Sequence, residues 1–370
     1  MLKRVLEINV DDLHAGGVFS LVKNVIQHKK SNIKIDIAAI EKFENPNNIK
    51  ILSEYGSSVY YIGYSGNKWK KQVVCYCNLK SLIKEKRYDC VHIHADVANK
   101  LLVSGLAAKR VGVKKIILHS HAAGVDGNHR GLKLLFHKVC RRLLKYIGTD
   151  FVACSDLAAQ WMFPNISQDK ICIINNGVDL DKFRYNIEIR EKVRRELGIT
   201  DELLIGHVGR FAYQKNHEFL VKIMKSVKAR KLNAKLLLVG EGPDENKIRK
   251  LVTENYLDDC VIFYGTSSKV NELFQAMDVF VLPSHFEGLP IVGVEAQASG
   301  LSIIFSDKIT KEAKLTELVS FISISDSSVI KWVIQIMEYV KYDRRDQYLN
   351  LEKRRFSIYD TIRDFLDLYS

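Results

Sequence analysis

A chain of 370 residues is longer than one hydrophobic core ordinarily organises, so two domains are expected. Hydrophobic residues make up 47%, enough for two cores, and no apolar run approaches the roughly 20 residues of a membrane span. That composition excludes disordered and membrane-spanning classes. The net charge of +13 is unevenly placed: residues 1–150 hold 26 Lys+Arg against 12 Asp+Glu, so +14, and the remainder holds 30 against 31, so −1. A basic field on one domain implies an acidic partner, whether nucleic acid, anionic lipid or a phosphorylated acceptor. The start, MLKRVLEINVDD, reads as a short strand and not as a secretory signal, and the seven cysteines are scattered singly. The expectation is a cytoplasmic protein with reduced thiols, or one resting on the inner face of a membrane.

Residues 4–10 form the first expected strand. A polar loop through Gly16 and Gly17 follows, then a helix over 18–28 with Leu21, Val22, Val25 and Ile26 on one face. The amides of Gly16 and Gly17 suit a phosphate as well as they suit a tight turn, and the pair is not the G-x-G-x-x-G dinucleotide fingerprint. Strand and helix patterns then alternate: strands over 34–40, 59–62, 90–94 and 115–119, helices over 69–85 and 98–111. Such alternation predicts a parallel, doubly wound sheet. His119-Ser120-His121-Ala122 closes a strand, at the edge where open sheets bind ligands. His119 is expected on the face opposite His121, and His92 and His94 read as packing or polar-edge residues. Residues 130–147 carry six cations and no acid beside Leu132, Leu135, Phe136, Val139, Leu143 and Tyr146 at helical spacing. This segment is either a surface helix with its apolar side in the core or an amphipathic helix lying on a membrane.

Strands over 151–155 and 170–175 follow, and Asn186–Glu196 reads as a charged linker. The next domain opens with a strand over 203–208 and the loop GRFAYQKNH, in which Arg210 and Lys215 lie between a strand end and a helix start. Two cations there suit a diphosphate. Further strands are expected over 235–239 and 261–265, with GEGP (240–243) as a turn between strand and helix. The most informative stretch is Val279–Gly300, VFVLPSHFEGLPIVGVEAQASG: an apolar strand, a polar loop and a helix restarting at Gly288-Leu289-Pro290. Pro290 is expected in the first turn, where its missing N–H costs nothing. Glu287 and Glu295 are separated by seven residues. Two carboxylates beside an anion-favouring helix start suit a ligand bearing both phosphates and hydroxyls, as a sugar nucleotide does.

EGLPxxxxE after a strand ending in Pro-Ser, followed by AxASG, resembles the E-x7-E signature of the family 4 retaining glycosyltransferases. GR…K at 210–215 and NGVD at 176–179 are similar to further motifs of that family. The resemblance implies an α/β GT-B fold of two Rossmann-like domains facing across a cleft, over 1–185 and 186–350, with a terminal helix over 351–370 returning to the first domain. It implies transfer of a sugar from a nucleoside diphosphate sugar, a UDP-sugar, to a lipid-linked or oligosaccharide acceptor in exopolysaccharide, capsule or lipopolysaccharide assembly. Glu287 and His121 are then expected at the transferred sugar and Glu295 at the ribose. Arg210 and Lys215 are expected at the diphosphate, helped by amides of Gly16, Gly17, Gly288 and Leu289. The family implies no metal or other cofactor, so the four histidines are not expected to hold zinc, and Asp179-Leu180-Asp181 is expected to be a turn and not a metal-binding D-x-D. The competing functions are a sugar-nucleotide epimerase of the same architecture and a basic nucleic-acid-binding protein. The latter is disfavoured because no recognition motif accompanies the charge.

Overall fold

The computed structural model describes residues 2–12, 17–64, 66, 68–125, 129–339 and 341–370. Gly16, one of the expected phosphate-facing residues, lies outside them. The chain divides into two compact units, Met1–Asn176 with Ile358–Ser370, and Gly177–Ser357.

The first unit is built on seven parallel strands: β1 (Lys3–Ile8), β2 (Ile33–Ala39), β3 (Val59–Tyr61), β4 (Cys90–Ala95), β5 (Lys115–Ser120), β6 (Asp150–Ala153) and β7 (Ile171–Ile173). Their order is β3-β2-β1-β4-β5-β6-β7. Both faces of the central strands are covered: β4 is buried along its whole length although His92 and His94 alternate with Val91 and Ile93. The core gathers Leu6, Ile8, Ile93, Leu118, Met162 and Phe163. The second unit repeats the scheme with β8 (Leu203–Val208), β9 (Ala234–Val239), β10 (Val261–Gly265), β11 (Val279–Leu282), β12 (Ser302–Ser306) and β13 (Val319–Ile322). Their order is β10-β9-β8-β11-β12-β13. Strand order reverses between β8 and β11, so the loops leaving these two strands flank a switch point, where doubly wound sheets hold ligands.

Several boundaries differ from those expected. The first unit closes at Asn176, before 185, because Leu180 and Phe183 are buried within the second unit, where Phe183 packs on Phe274. Asn186–Glu196 is no linker. Asn186 caps a helix, Ile187–Glu196, by accepting from the Ile189 N–H at 3.0 Å. Arg190 and Arg194 of that helix grip Asp278 and the carbonyls at the end of helix Val270–Ala276. The returning segment starts at Ile358, not 351, since helix Tyr348–Lys353 belongs to the second unit. Pro290 stands at the N-cap of helix Ile291–Ala298, one position ahead of the first turn.

Candidate active site

In the second unit the loops after β8 and β11 meet around Glu287. Glu287 is 6% exposed, and its carboxylate takes three donors: Lys215 Nζ at 2.7 Å and Ser284 Oγ at 2.9 Å on Oε1, and Gln214 Nε2 at 3.0 Å on Oε2. The loops are tied together further by the His285 N–H donating to the Gln214 carbonyl at 2.8 Å and by Asn216 Nδ2 donating to the Pro283 carbonyl at 3.1 Å. Tyr213 stacks on His285, ring centroids 4.2 Å apart. Asn216 has φ 55°, a left-handed turn that Asn tolerates, and so redirects the chain into helix His217–Ala229.

Arg210 is exposed on the same β8 loop, and its side chain has no ion-pair partner among the described residues. The backbone of the loop is held at Phe211 by the GEGP segment and the residue after it. The Phe211 N–H donates to the Glu241 carbonyl, and the Asp244 N–H donates to the Phe211 carbonyl, both at 3.0 Å. The two loops are so close that a Cβ on Gly240 would lie 2.3 Å from the Gly209 carbonyl oxygen, and one on Gly242 would lie 2.4 Å from that of Phe211. The glycines of GEGP thus let one backbone approach another, a use distinct from the nucleotide fingerprint.

Gly288 and Leu289 are buried just ahead of helix Ile291–Ala298. Glu295, on that helix, is half-buried; burial pushes its carboxyl up to about 7, against a weaker downward pull from Lys182. Asp179 accepts from the Lys182 N–H at 3.1 Å and caps the short helix Leu180–Phe183, so the D-x-D is a structural turn.

In the first unit Gly17 begins helix Gly17–His28. His121 follows β5 and is the outer member of a buried polar chain. Glu7 pairs with His92 across β1 and β4, and His94 pairs with His119 across β4 and β5. His119 therefore does not face away from His121, contrary to expectation: residues two apart on a strand share a face, and the two rings lie 4.0 Å apart. His92 and His94 are not edge residues either. His94 Nε2 lies 2.6 Å from Glu7 Oε2 and its Nδ1 lies 2.8 Å from His121 Nε2. His92 Nε2 lies 3.0 Å from His119 Nδ1 and its Nδ1 lies 2.8 Å from Tyr369 Oη, which donates to Glu7 Oε1. Burial pushes Glu7 upward, but His92 and His94 outweigh it and hold the carboxyl well below its usual range. Burial and His92 push His94 down to about 4, and burial with neighbouring rings lowers His119 and His121. Nitrogens of His92, His94 and His119 fall within 4.8 Å of one another, a spacing open to a metal, yet both nitrogens of His92 and of His94, and Nδ1 of His119, are engaged in hydrogen bonds.

Two family models match: Glycosyltransferase Family 4 over residues 16–182 and Glycosyl transferases group 1 over 189–317. A Bacillus subtilis (strain 168) relative named as the glycosyltransferase EpsF is 33% identical over 330 residues, covering 88% of this chain and 84% of its own. The chain belongs to glycosyltransferase family 4. A second relative of this glycosyltransferase is the Escherichia coli UDP-Gal:alpha-D-GlcNAc-diphosphoundecaprenol alpha-1,3-galactosyltransferase, 27% identical over 62% of this chain and 60% of its own. Among solved structures, Anabaena HepE in complex with UDP and glucose superposes with a TM-score of 0.77 at 15% identity over 99% of both chains. The fold is thus the α/β GT-B fold of two Rossmann-like domains.

In this glycosyltransferase the apolar row of residues 130–147 does not lie in the core. The segment is an α-helix over Arg130–Cys140 that tightens to a 3₁₀ turn over Arg141–Tyr146. It docks through His137, Cys140 and Leu144, not through its main apolar row. His137 stacks on Trp161 at 4.0 Å and accepts from the Ala98 N–H at 3.1 Å. Leu132, Leu135, Phe136 and Val139 are left 63, 58, 50 and 55% exposed, with Leu143 and Tyr146 beside them. No helix among the described residues is long and apolar enough to cross a membrane.

Sequence reasoning missed Gln214, Ser284, Glu7 and Tyr369, and gave His94 only a packing or polar-edge place. The available signal for Glu7 was an acid inside an apolar strand, which requires a buried partner. The signal for the histidines was the spacing of two repeated on adjacent strands.

Proposed function

We propose that this enzyme transfers a sugar from a UDP-sugar to a lipid-linked saccharide at an anionic membrane face, with retention, in the assembly of a cell-surface polysaccharide. The observation that carries the donor half is the convergence of Lys215, Gln214 and Ser284 on Glu287 at the switch point of the second unit, with Arg210 on the same loop. Arg210 and Lys215 hold the diphosphate. They supply the positive charge that a metal would otherwise bring as the leaving group develops charge, so no metal cofactor is needed. As the diphosphate takes Lys215, Oε1 of Glu287 becomes available to the hydroxyls of the transferred sugar. Glu295 takes the ribose hydroxyls. Amides of Gly288 and Leu289 add to the phosphate site of the second unit; in the first unit, the Gly17 amide is assigned to a phosphate and His121 to a hydroxyl of the sugar. With Gln214 and Ser284 still donating to it and its freed lone pair turned to the sugar hydroxyls, Glu287 is not the nucleophile in this reading, and the leaving diphosphate is the base for the acceptor hydroxyl.

The acceptor half is supported by the name of the Escherichia coli relative and by the exposed apolar row of helix Arg130–Cys140, flanked by Lys138, Arg141, Arg142 and Lys145. Such a surface suits an anionic bilayer better than nucleic acid, which would leave the leucines in water.

A thermal-shift panel of UDP, GDP, ADP and CMP with their sugars tests the donor. A ligand at 100 times its Kd adds about 2.7 kcal/mol, so UDP and one UDP-sugar are expected to raise Tm clearly, with the shift reduced in Glu295→Ala. No shift with any nucleotide would refute the donor site; UDP-sugar conversion without acceptor and without UDP release would identify an epimerase instead. Vesicle co-sedimentation tests the membrane. Binding is expected to phosphatidylglycerol vesicles and not to phosphatidylcholine vesicles, weakening at high salt and lost in Phe136→Asp, a change at a 50% exposed position that leaves the core intact. Equal binding by Phe136→Asp would remove the helix from the argument.

A further inference from the structure

The buried chain on β1, β4 and β5 has a direction that geometry fixes from one carboxylate. Glu7 is an acceptor, and it receives the Tyr369 hydroxyl on Oε1 and His94 Nε2 at 2.6 Å on Oε2. His94 therefore carries a proton on Nε2 and, as a neutral ring whose burial disfavours a second proton, offers a bare Nδ1. The group 2.8 Å from that lone pair is His121 Nε2, which must donate. The second branch follows the same rule. Having donated to Glu7, Tyr369 Oη accepts from His92 Nδ1 at 2.8 Å, and His92 Nε2 accepts from His119 Nδ1 at 3.0 Å. That branch ends on His119 Nε2, a buried atom with no hydrogen-bond partner among the described residues. The first branch ends on His121 Nδ1, on a ring that is only half-buried and has no further hydrogen-bond partner among the described residues.

We infer that Glu7 is a positioning residue which, through His94, locks His121 as the Nε2–H tautomer, so that His121 Nδ1 meets the substrate as a hydrogen-bond acceptor. An acceptor nitrogen takes a hydroxyl and repels a phosphate oxygen, so His121 selects for a sugar hydroxyl and not for the diphosphate. This rests on the proposed sugar contact of His121. The lowered proton affinities of His94 and His121 agree with both rings being neutral near pH 7. In this arrangement Glu7 acts at a distance, much as a carboxylate behind a catalytic imidazole sets which nitrogen is free.

The test is long-range ¹H–¹⁵N correlation of the histidine rings together with donor kinetics. In the wild type, His121 is expected as the Nε2–H tautomer. Glu7→Gln offers one acceptor oxygen and a competing N–H donor in place of the carboxylate; it is expected to give mixed tautomers at His94 and His121 and roughly a tenfold fall in donor kcat/KM, the scale of one hydrogen bond. Tyr369→Phe removes only the other branch and is expected to leave the His121 signature unchanged. A proton on Nδ1 of wild-type His121, or an unaltered tautomer in Glu7→Gln, overturns the role given to Glu7, and the wild-type spectrum suffices even where Glu7→Gln does not fold. Unchanged donor affinity in His121→Ala with the expected tautomers overturns the sugar contact instead.

Discussion

Glu295 changes charge near neutral pH, because burial pushes its carboxyl up to about 7 from 4.5. Ribose hydroxyls donate to the ionised form, so in the proposed site donor binding releases a proton and strengthens as pH rises. Affinity for a UDP-sugar, whose diphosphate does not titrate in this range, is expected to rise several-fold between pH 6 and 8 and to be flat in Glu295→Gln, as measured by calorimetry. The ligand-free fold responds with the opposite sign. A carboxyl raised from 4.5 to about 7 contributes stability that is full below 4.5 and lost as pH climbs through 7. Gly240 is a second residue-scale test. At φ 135°, with a Cβ destined for 2.3 Å from the Gly209 carbonyl, Gly240→Ala is expected to cost about 2 kcal/mol by denaturant titration. It should also weaken diphosphate binding through the Arg210 loop. None of this packing was legible in the sequence, where GEGP showed only a turn. That Lys215 and Glu287 follow strands and that Glu295 lies on the next helix was legible, because apolar runs ending in turn residues carry that signal.

At the scale of elements, helix Ile187–Glu196 shows what charge patterning hides. Its sequence, IEIREKVRRE, is so polar that it reads as linker, yet Arg190 and Arg194 spend their charge on Asp278 and on helix-end carbonyls, and only Val193 is fully buried. Asp278 also accepts from the Leu204 N–H at 2.7 Å, anchoring β8. Asp278→Ala leaves two half-buried guanidinium groups facing each other and is expected to cost roughly 3 kcal/mol, read as a fall in Tm. The strands were the most legible elements, since buried parallel strands announce themselves as short apolar runs bounded by turns. Helix Arg130–Cys140 was half legible. Periodicity revealed an apolar row but not what covers it, and the contact of His137 with Trp161 that turns the row outward joins residues 24 apart.

At the scale of the whole molecule, the doubly wound architecture followed from the alternation of patterns, while the exact division did not. Residues 358–370 return to the first unit and bring Phe365 and Tyr369 against the histidine rings. Removing them is expected to expose the amides of β1, β4 and β5 to hydrogen exchange while β8 and β11 keep their protection, as followed by mass spectrometry. Loss of protection in both units would mean that they unfold as one.

The hydrogen bond from Tyr369 to Glu7 spans 362 positions of the chain. During synthesis the ribosome makes all of the second unit before it reaches the residues that close the first. The half of the protein that is translated first is thus the half whose polar core is completed last, and for that interval Glu7 and its histidines lack part of their cover. A nascent chain in this state has reason to engage a chaperone at its amino-terminal half, while the later-made unit is already able to fold.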